Sequence, residues 1–183
     1  MKIVRDIEKL KIDEGSTVTI GKFDGVHVGH KKLIETMKQK SDGLKTVVFT
    51  FSVKRSEDFV RVKHPICTEK EKEDLFKNLG VDILVLYPLT PENARMEPLS
   101  FIKDVLVDKL NRKTLVCGDD FRFGRDKEGD TALLKRLSKE LGFKLYVVKR
   151  EEYMGEPVSS SRIREALEKD CKSAEKMLGR PVK

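Results

Sequence analysis

A chain of 183 residues with 38% hydrophobic content can bury one core and is too short for two ordinary domains. Its 38 Lys and Arg against 31 Asp and Glu give a formal charge of +7, which suits anionic ligands; the two signs are interspersed without a basic stripe, so no nucleic-acid partner is expected. Cys67, Cys117 and Cys171 lie far apart with no metal or disulfide spacing, the charged N-terminus lacks a leader's apolar run, and nothing approaches the roughly 20 apolar residues of a membrane span. The expectation is a cytoplasmic protein with no membrane partner.

Along the chain, short β-branched runs alternate with amphipathic ones. Strands are predicted over residues 18–21, 46–51, 82–86, 114–118 and 144–148, giving an α/β fold: a doubly wound, mainly parallel five-stranded sheet with helices on both faces. A first helix is predicted from about His30. Thr68 with Glu71 reads as a capping box for a helix closing at Gly80, and Ser100 precedes an amphipathic run over 101–110. Asp130 caps a helix over 131–141 that ends at Gly142, and residues 162–169 read as a last helix after a turn-rich link.

Three segments carry candidate chemistry. The first is Gly21-Lys22-Phe23-Asp24-Gly25-Val26-His27-Val28-Gly29-His30, a strand-to-helix loop at the carboxyl edge of the sheet, where open α/β sheets bind ligands. Gly21, Gly25 and Gly29 permit close backbone approach, the helix start offers amides to a phosphate, and His27 and His30 are placed to donate to its oxygens. The same spacing would also serve a plain cap. A metal site is disfavoured, because His64 is the one other histidine and no HExxH pattern is present.

The second segment, Cys117-Gly118-Asp119-Asp120-Phe121-Arg122-Phe123-Gly124, follows the fourth strand onto the same edge. It reads either as a nucleotide and ring-binding loop, with Phe121 or Phe123 packing a planar group, or as a glycine-ended turn with core aromatics. The third, Val158-Ser159-Ser160-Ser161-Arg162-Ile163-Arg164, places serines as helix caps and two arginines that point in different directions from the first turn. Cations at a helix start are unfavourable unless an anion sits there; a serine cap with solvated arginines is the alternative.

Together the segments resemble the adenylyltransferase module of the prokaryotic bifunctional riboflavin kinase/FMN adenylyltransferase (FAD synthetase) family, within the HxGH nucleotidyltransferase superfamily. The GxFDGxHxGH, GxDFxFG and SSxRIR patterns occur in the same order, and Gly80-Val81-Asp82, Ser100-Phe101-Ile102 and the run over 174–181 also match. The resemblance implies a Rossmann-like fold that transfers AMP from ATP to FMN, giving FAD and pyrophosphate, with Mg²⁺ carried on the ATP. It implies catalytic roles for His27, His30, Asp120 and Arg164. ATP would be bound by Gly21, Phe23, Asp24, Gly25, Gly29, Gly118, Ser160, Ser161 and Arg162, and the flavin by Phe51, Phe121 and Phe123, with Phe23 and Phe123 near the nucleotide or flavin; no protein metal cage is implied.

Two departures qualify it. Where the family has Phe-x-Pro-His-Pro after the second strand, Phe51 is followed by Ser52-Val53-Lys54-Arg55, so other phosphorylated acceptors and a non-catalytic flavin or ATP sensor stay open. Family members also continue past the segment Leu178-Gly179-Arg180-Pro181 into a riboflavin kinase barrel. The expected division is a nucleotidyltransferase domain over 1–178 and a tail over 179–183, with no kinase activity and FMN supplied by a separate riboflavin kinase. The chain is then either a stand-alone enzyme or one domain of a longer protein.

Overall fold

The computed structural model describes residues 1–7, 10–52, 64–88 and 90–182. Six parallel strands form one sheet: β1 (Lys2–Val4), β2 (Ser16–Ile20), β3 (Lys45–Ser52), β4 (Ile83–Pro88), β5 (Arg112–Gly118) and β6 (Lys144–Val148), in the order β1-β4-β3-β2-β5-β6. The doubly wound α/β reading holds, with one strand more than expected. Strand β1 is three residues long and pairs with β4 at the sheet edge. Its pairing comes from that neighbour and not from an apolar run of its own.

The central strands put successive side chains on opposite faces. Val47, Phe49, Leu115 and Cys117 face one core with Ile102, Leu106, Leu134 and Leu137. Val48, Leu84, Leu86 and Val116 face the other with Ile34, Met37 and Phe76. The first core is covered by α4 (Pro98–Ser100), which runs on as a π-helix over Phe101–Lys109, and by α5 (Thr131–Glu140); the second by α1 (Val28–Gln39) and α2 (Glu69–Asn78). Helix α3 (Pro91–Ala94) is a single turn. Helices α6 (Ser160–Lys169) and α7 (Cys171–Leu178) close a third cluster through Val158, Ile163, Met177 and Leu178, after a hairpin of β7 (Glu152–Tyr153) and β8 (Glu156–Pro157).

The caps behave as residue chemistry dictates. Thr68 and Glu71 form a reciprocal capping box at α2. Ser100, by contrast, is not a cap: Pro98 opens the helix after Glu97, and Leu110 N–H donates five residues back, to Val105, at 3.1 Å. Asp130 accepts from Leu133 N–H at 2.8 Å at the start of α5 and from Arg122 Nη1 at 3.1 Å. Asp130→Ala is expected to lower unfolding stability in urea by about 1 kcal/mol, the scale of a lost N-cap; an unchanged midpoint and slope would show the cap to be idle.

Strand order reverses beside β2, since β3 and β4 lie on one side of it and β5 and β6 on the other. A crevice outside the carboxyl ends of β2 and β5 follows from that reversal.

Candidate active site

A cleft of about 420 Å³ occupies that crevice. Its floor comes from the strand ends Ile20, Gly21, Phe51, Gly118 and Val148, and its walls from the His27–His30 turn, the Asp120–Arg122 loop and Ser159–Ser160.

The loop from β2 to α1 is fixed at every step. The Lys22 carbonyl accepts from Thr50 Oγ1 and from Lys72 Nζ, each at 3.0 Å. Phe23 follows at φ +49 with its ring fully buried. The Asp24 carboxylate accepts from Ile66 N–H at 3.0 Å and from Arg164 Nη2 at 2.5 Å, while Ser160 Oγ donates to the Asp24 carbonyl at 3.1 Å. Gly25 takes φ +76, and a Cβ there would stand 2.7 Å from Ile66, so the position requires glycine. Arg180 Nη1 then donates to the Gly25 carbonyl at 2.7 Å, and Lys31 Nζ to the Gly179 carbonyl at 2.9 Å. Within the segment 179–183, expected as a tail, Arg180 therefore ties to this loop and Gly179 to α1.

His27 is the N-cap residue of α1, yet its side chain makes no cap hydrogen bond. Lys31 N–H is bonded to the His27 carbonyl at 3.0 Å, so the amides of Gly29 and His30 precede the first intrahelical bond, the position at which a helix start can bind an anion. The two imidazoles stack at 3.6 Å between centroids with a 20° tilt, and His30 meets the edge of Phe23 at 4.9 Å. Burial pushes the His27 pKa down to about 4; the nearby Asp24 carboxylate opposes this and Arg180 adds to it. Burial, then His27 and Lys72, hold His30 well below the usual imidazole range. Both rings are neutral at pH 7, and each Nδ1 lacks a partner among the described residues. A neutral imidazole offers one donor and one acceptor.

The structure brings Gly21, Phe23, His27, Gly29, His30, Phe51, Gly118, Asp120, Phe121 and Ser160 to the cleft. Six other expected site residues do not line it. Asp24, Gly25 and Arg164 belong to the loop's scaffold, Arg164 also donating to the His64 carbonyl at 3.1 Å. Arg162 turns to the hairpin, donating to the Glu156 carbonyl at 2.9 Å and lying over Tyr153. Ser161 is exposed outside the cleft, and Phe123 is buried beneath Phe121, the rings 5.5 Å apart and nearly parallel. Val53, Lys54 and Arg55 lie outside the described residues.

Sequence reasoning assigned no role to five cations that line the cleft, Lys22, Arg122, Lys127, Lys149 and Arg150, against the carboxylates Asp120 and Glu151. Lys149 and Arg150 immediately follow β6, so asking what trails each strand's carboxyl end would have found them. Arg150 pairs with Asp119 at 3.2 Å and Asp120 at 3.6 Å, and Lys32 with Glu151. No cluster of three His, Cys, Asp or Glu able to hold a metal occurs among the described residues.

Residues 9–162 match the model of the FAD synthetase family. This chain belongs to that family. A bifunctional riboflavin kinase/FMN adenylyltransferase of Buchnera aphidicola subsp. Schizaphis graminum is 34% identical over 188 residues, a match covering 99% of this chain and 60% of the relative. The chain thus spans about 60% of the length of such curated relatives. Among solved structures, a macrolide-efflux protein of Streptococcus pneumoniae superposes with TM-score 0.83 at 28% identity, covering 99% of this chain and 62% of that one. The pantoate-beta-alanine ligase of Francisella tularensis, solved with beta-gamma ATP and beta-alanine, shares the fold at TM-score 0.57 and 17% identity, over 98% and 85% of the two chains. No helix among the described residues is long and apolar enough to cross a membrane.

The Asp24–Arg164 pair ties α6 to the family's motif loop, with side chains 14% and 30% exposed. Arg164→Ala is expected to lower stability by about 1–2 kcal/mol, the scale of a charge-assisted hydrogen bond discounted for solvent. Thermal melting checks this; an unshifted Tm would mean that the tie carries no load.

Proposed function

We propose that this cleft joins the adenylyl group of ATP to FMN, giving FAD and pyrophosphate. One observation carries the reading: two stacked, neutral histidines stand at the amide-bearing start of α1, in a cation-lined cleft at the reversal point of the sheet. That arrangement suits a polyphosphate, which amides, imidazole N–H groups and ammonium ions hold through many short bonds. Membership of the FAD synthetase family supports ATP and FMN as the substrates.

In this reading an FMN phosphate oxygen attacks the α-phosphorus in line. A new P–O bond forms to FMN, the bond to the bridging oxygen breaks, and pyrophosphate leaves with the electron pair. The nucleophile is already ionised at neutral pH, so catalysis consists of positioning and charge stabilisation. His27 and His30 donate to the phosphates, more strongly as charge builds on the leaving oxygen. Lys22, Lys149 and Arg150 neutralise it, Asp120 orients Arg150, and Phe121 and Phe51 offer apolar surface to the flavin or adenine ring. Arg164, Arg162 and Ser161 act by shaping the loop and the start of α6. Mg²⁺ is read as arriving on ATP, where it would neutralise phosphate charge; a protein-built cage is not needed for an ion held by substrate oxygens and water.

FMN would reach the site from a riboflavin kinase, the activity named beside FMN adenylyltransferase in the relatives. Work in the cytoplasm, without nucleic acid or membrane, completes the reading. The test is pyrophosphate release from ATP with and without FMN, with FAD identified chromatographically. Release that requires FMN and yields FAD supports the proposal. Release with another phosphorylated acceptor and no FAD would reassign the acceptor, and tight FMN binding without release would make the protein a sensor.

A further inference from the structure

Lys72 has no part in the reaction as written, and its setting is unusual for a lysine. It lies in α2 with 3% of its surface exposed, and its ammonium donates to the Lys22 carbonyl at 3.0 Å. Burial pushes its pKa down, while Cys67, Asp24 and Glu69 oppose the shift. A buried ammonium is expensive to keep when an apolar side chain would fill the same space.

The carbonyl it holds leads into Phe23, a bulky residue in the left-handed region at φ +49. Such strain persists only where the surroundings over-determine the backbone. Here Lys72 and Thr50 fix the peptide before Phe23, and Phe76, also from α2, meets the Phe23 ring edge-on at 5.5 Å. The same ring also meets His30 at 4.9 Å, and His30 stacks on His27. A continuous set of contacts therefore runs from α2 through Lys22 and Phe23 to the histidine pair.

We propose that Lys72 is a positioning residue: its buried ammonium fastens the Lys22 carbonyl so that the left-handed Phe23 turn sets the angle at which His30 and His27 face the cleft. The effect on turnover rests on the adenylyl-transfer reading; the effect on ring geometry does not. Lys72→Met keeps the apolar stem and removes the donor, and Thr50→Val removes the second donor to the same carbonyl should the first variant fail to fold.

The expected result for Lys72→Met is a fall in kcat of about 30- to 100-fold, the scale of an ångström-size misplacement, with the KM for ATP within about threefold of the original. The ring signals of His27 and His30 in ¹H–¹⁵N spectra of the ligand-free protein are expected to move, while those of His64, the third histidine, stay put. Unmoved His27 and His30 signals with an unchanged kcat would overturn the proposal, as would a loss confined to KM. Should the original protein make no FAD while Lys72→Met still moves the two signals, the positioning role stands and the reading of the reaction falls.

Discussion

His30→Ala is expected to lose about two to three powers of ten in kcat, the scale on which one preorganised donor stabilises developing charge. The residue is packed between the His27 ring at 3.6 Å and the Phe23 edge at 4.9 Å, so its orientation is fixed before any substrate arrives. That preorganisation is what makes the donor worth more than a hydrogen bond to water. The KM for ATP is expected to move less than kcat, because the α1 amides and the cleft's cations still bind the ground state. His30→Gln keeps a donor and is expected to recover part of the loss. Steady-state kinetics on the two variants decide the matter; turnover like the original's in the alanine form would remove His30 from the chemistry.

The second large effect is loss of stability in acid. His27 is 7% exposed, and its pKa is about 4 in the fold against 6.5 for the free side chain. As pH falls below the unfolded value, the unfolded chain takes up a proton that the folded chain refuses. Stability from this residue is thus complete above pH 6.5 and is lost progressively down to about pH 4, a total of about 3 kcal/mol. His30 shifts in the same direction and adds to the loss. Urea unfolding at a series of pH values between about 7.5 and 4 is the measurement. His27→Gln is expected to flatten the slope, and a variant with the same slope as the original would refute the assignment. A bound polyphosphate should lessen this loss, since an anion beside the rings favours their charged form.

Most of the sheet was legible because residues 46–51 and 114–118 carry β-branched runs that suit a strand buried on both faces. Helix starts were legible where a single side chain makes the cap, as at Thr68 and Asp130. Strand β1 was not, because its stability resides in β4, and the π-wound turns after Ser100 leave no mark on an amphipathic pattern. At the candidate site, ten of the expected residues line one cleft, but the sequence did not show which of the others brace the loop instead. Arg162 and Arg164 were rightly read as diverging, yet a sequence cannot say what each meets, here Glu156 and Asp24. Lys149 and Arg150 drew no reading from the sequence, and only the fold, which brings the neighbouring strand ends together, puts them in one cleft with His27 and His30.

The brace on the motif loop carries a consequence for how the molecule is made. The Asp24 backbone and carboxylate are held by Ser160 and Arg164, and the Gly25 carbonyl by Arg180, partners 136, 140 and 155 residues away along the chain. A ribosome delivers the N-terminal half first, at a pace that lets β2, β3 and their helix form early. The histidine turn must then wait for partners 136 to 155 residues downstream to emerge before it acquires its shape. Newly made chains would therefore be compact well before the cleft has its final shape, which would appear in a single late step when the segment bearing Ser160, Arg164 and Arg180 docks.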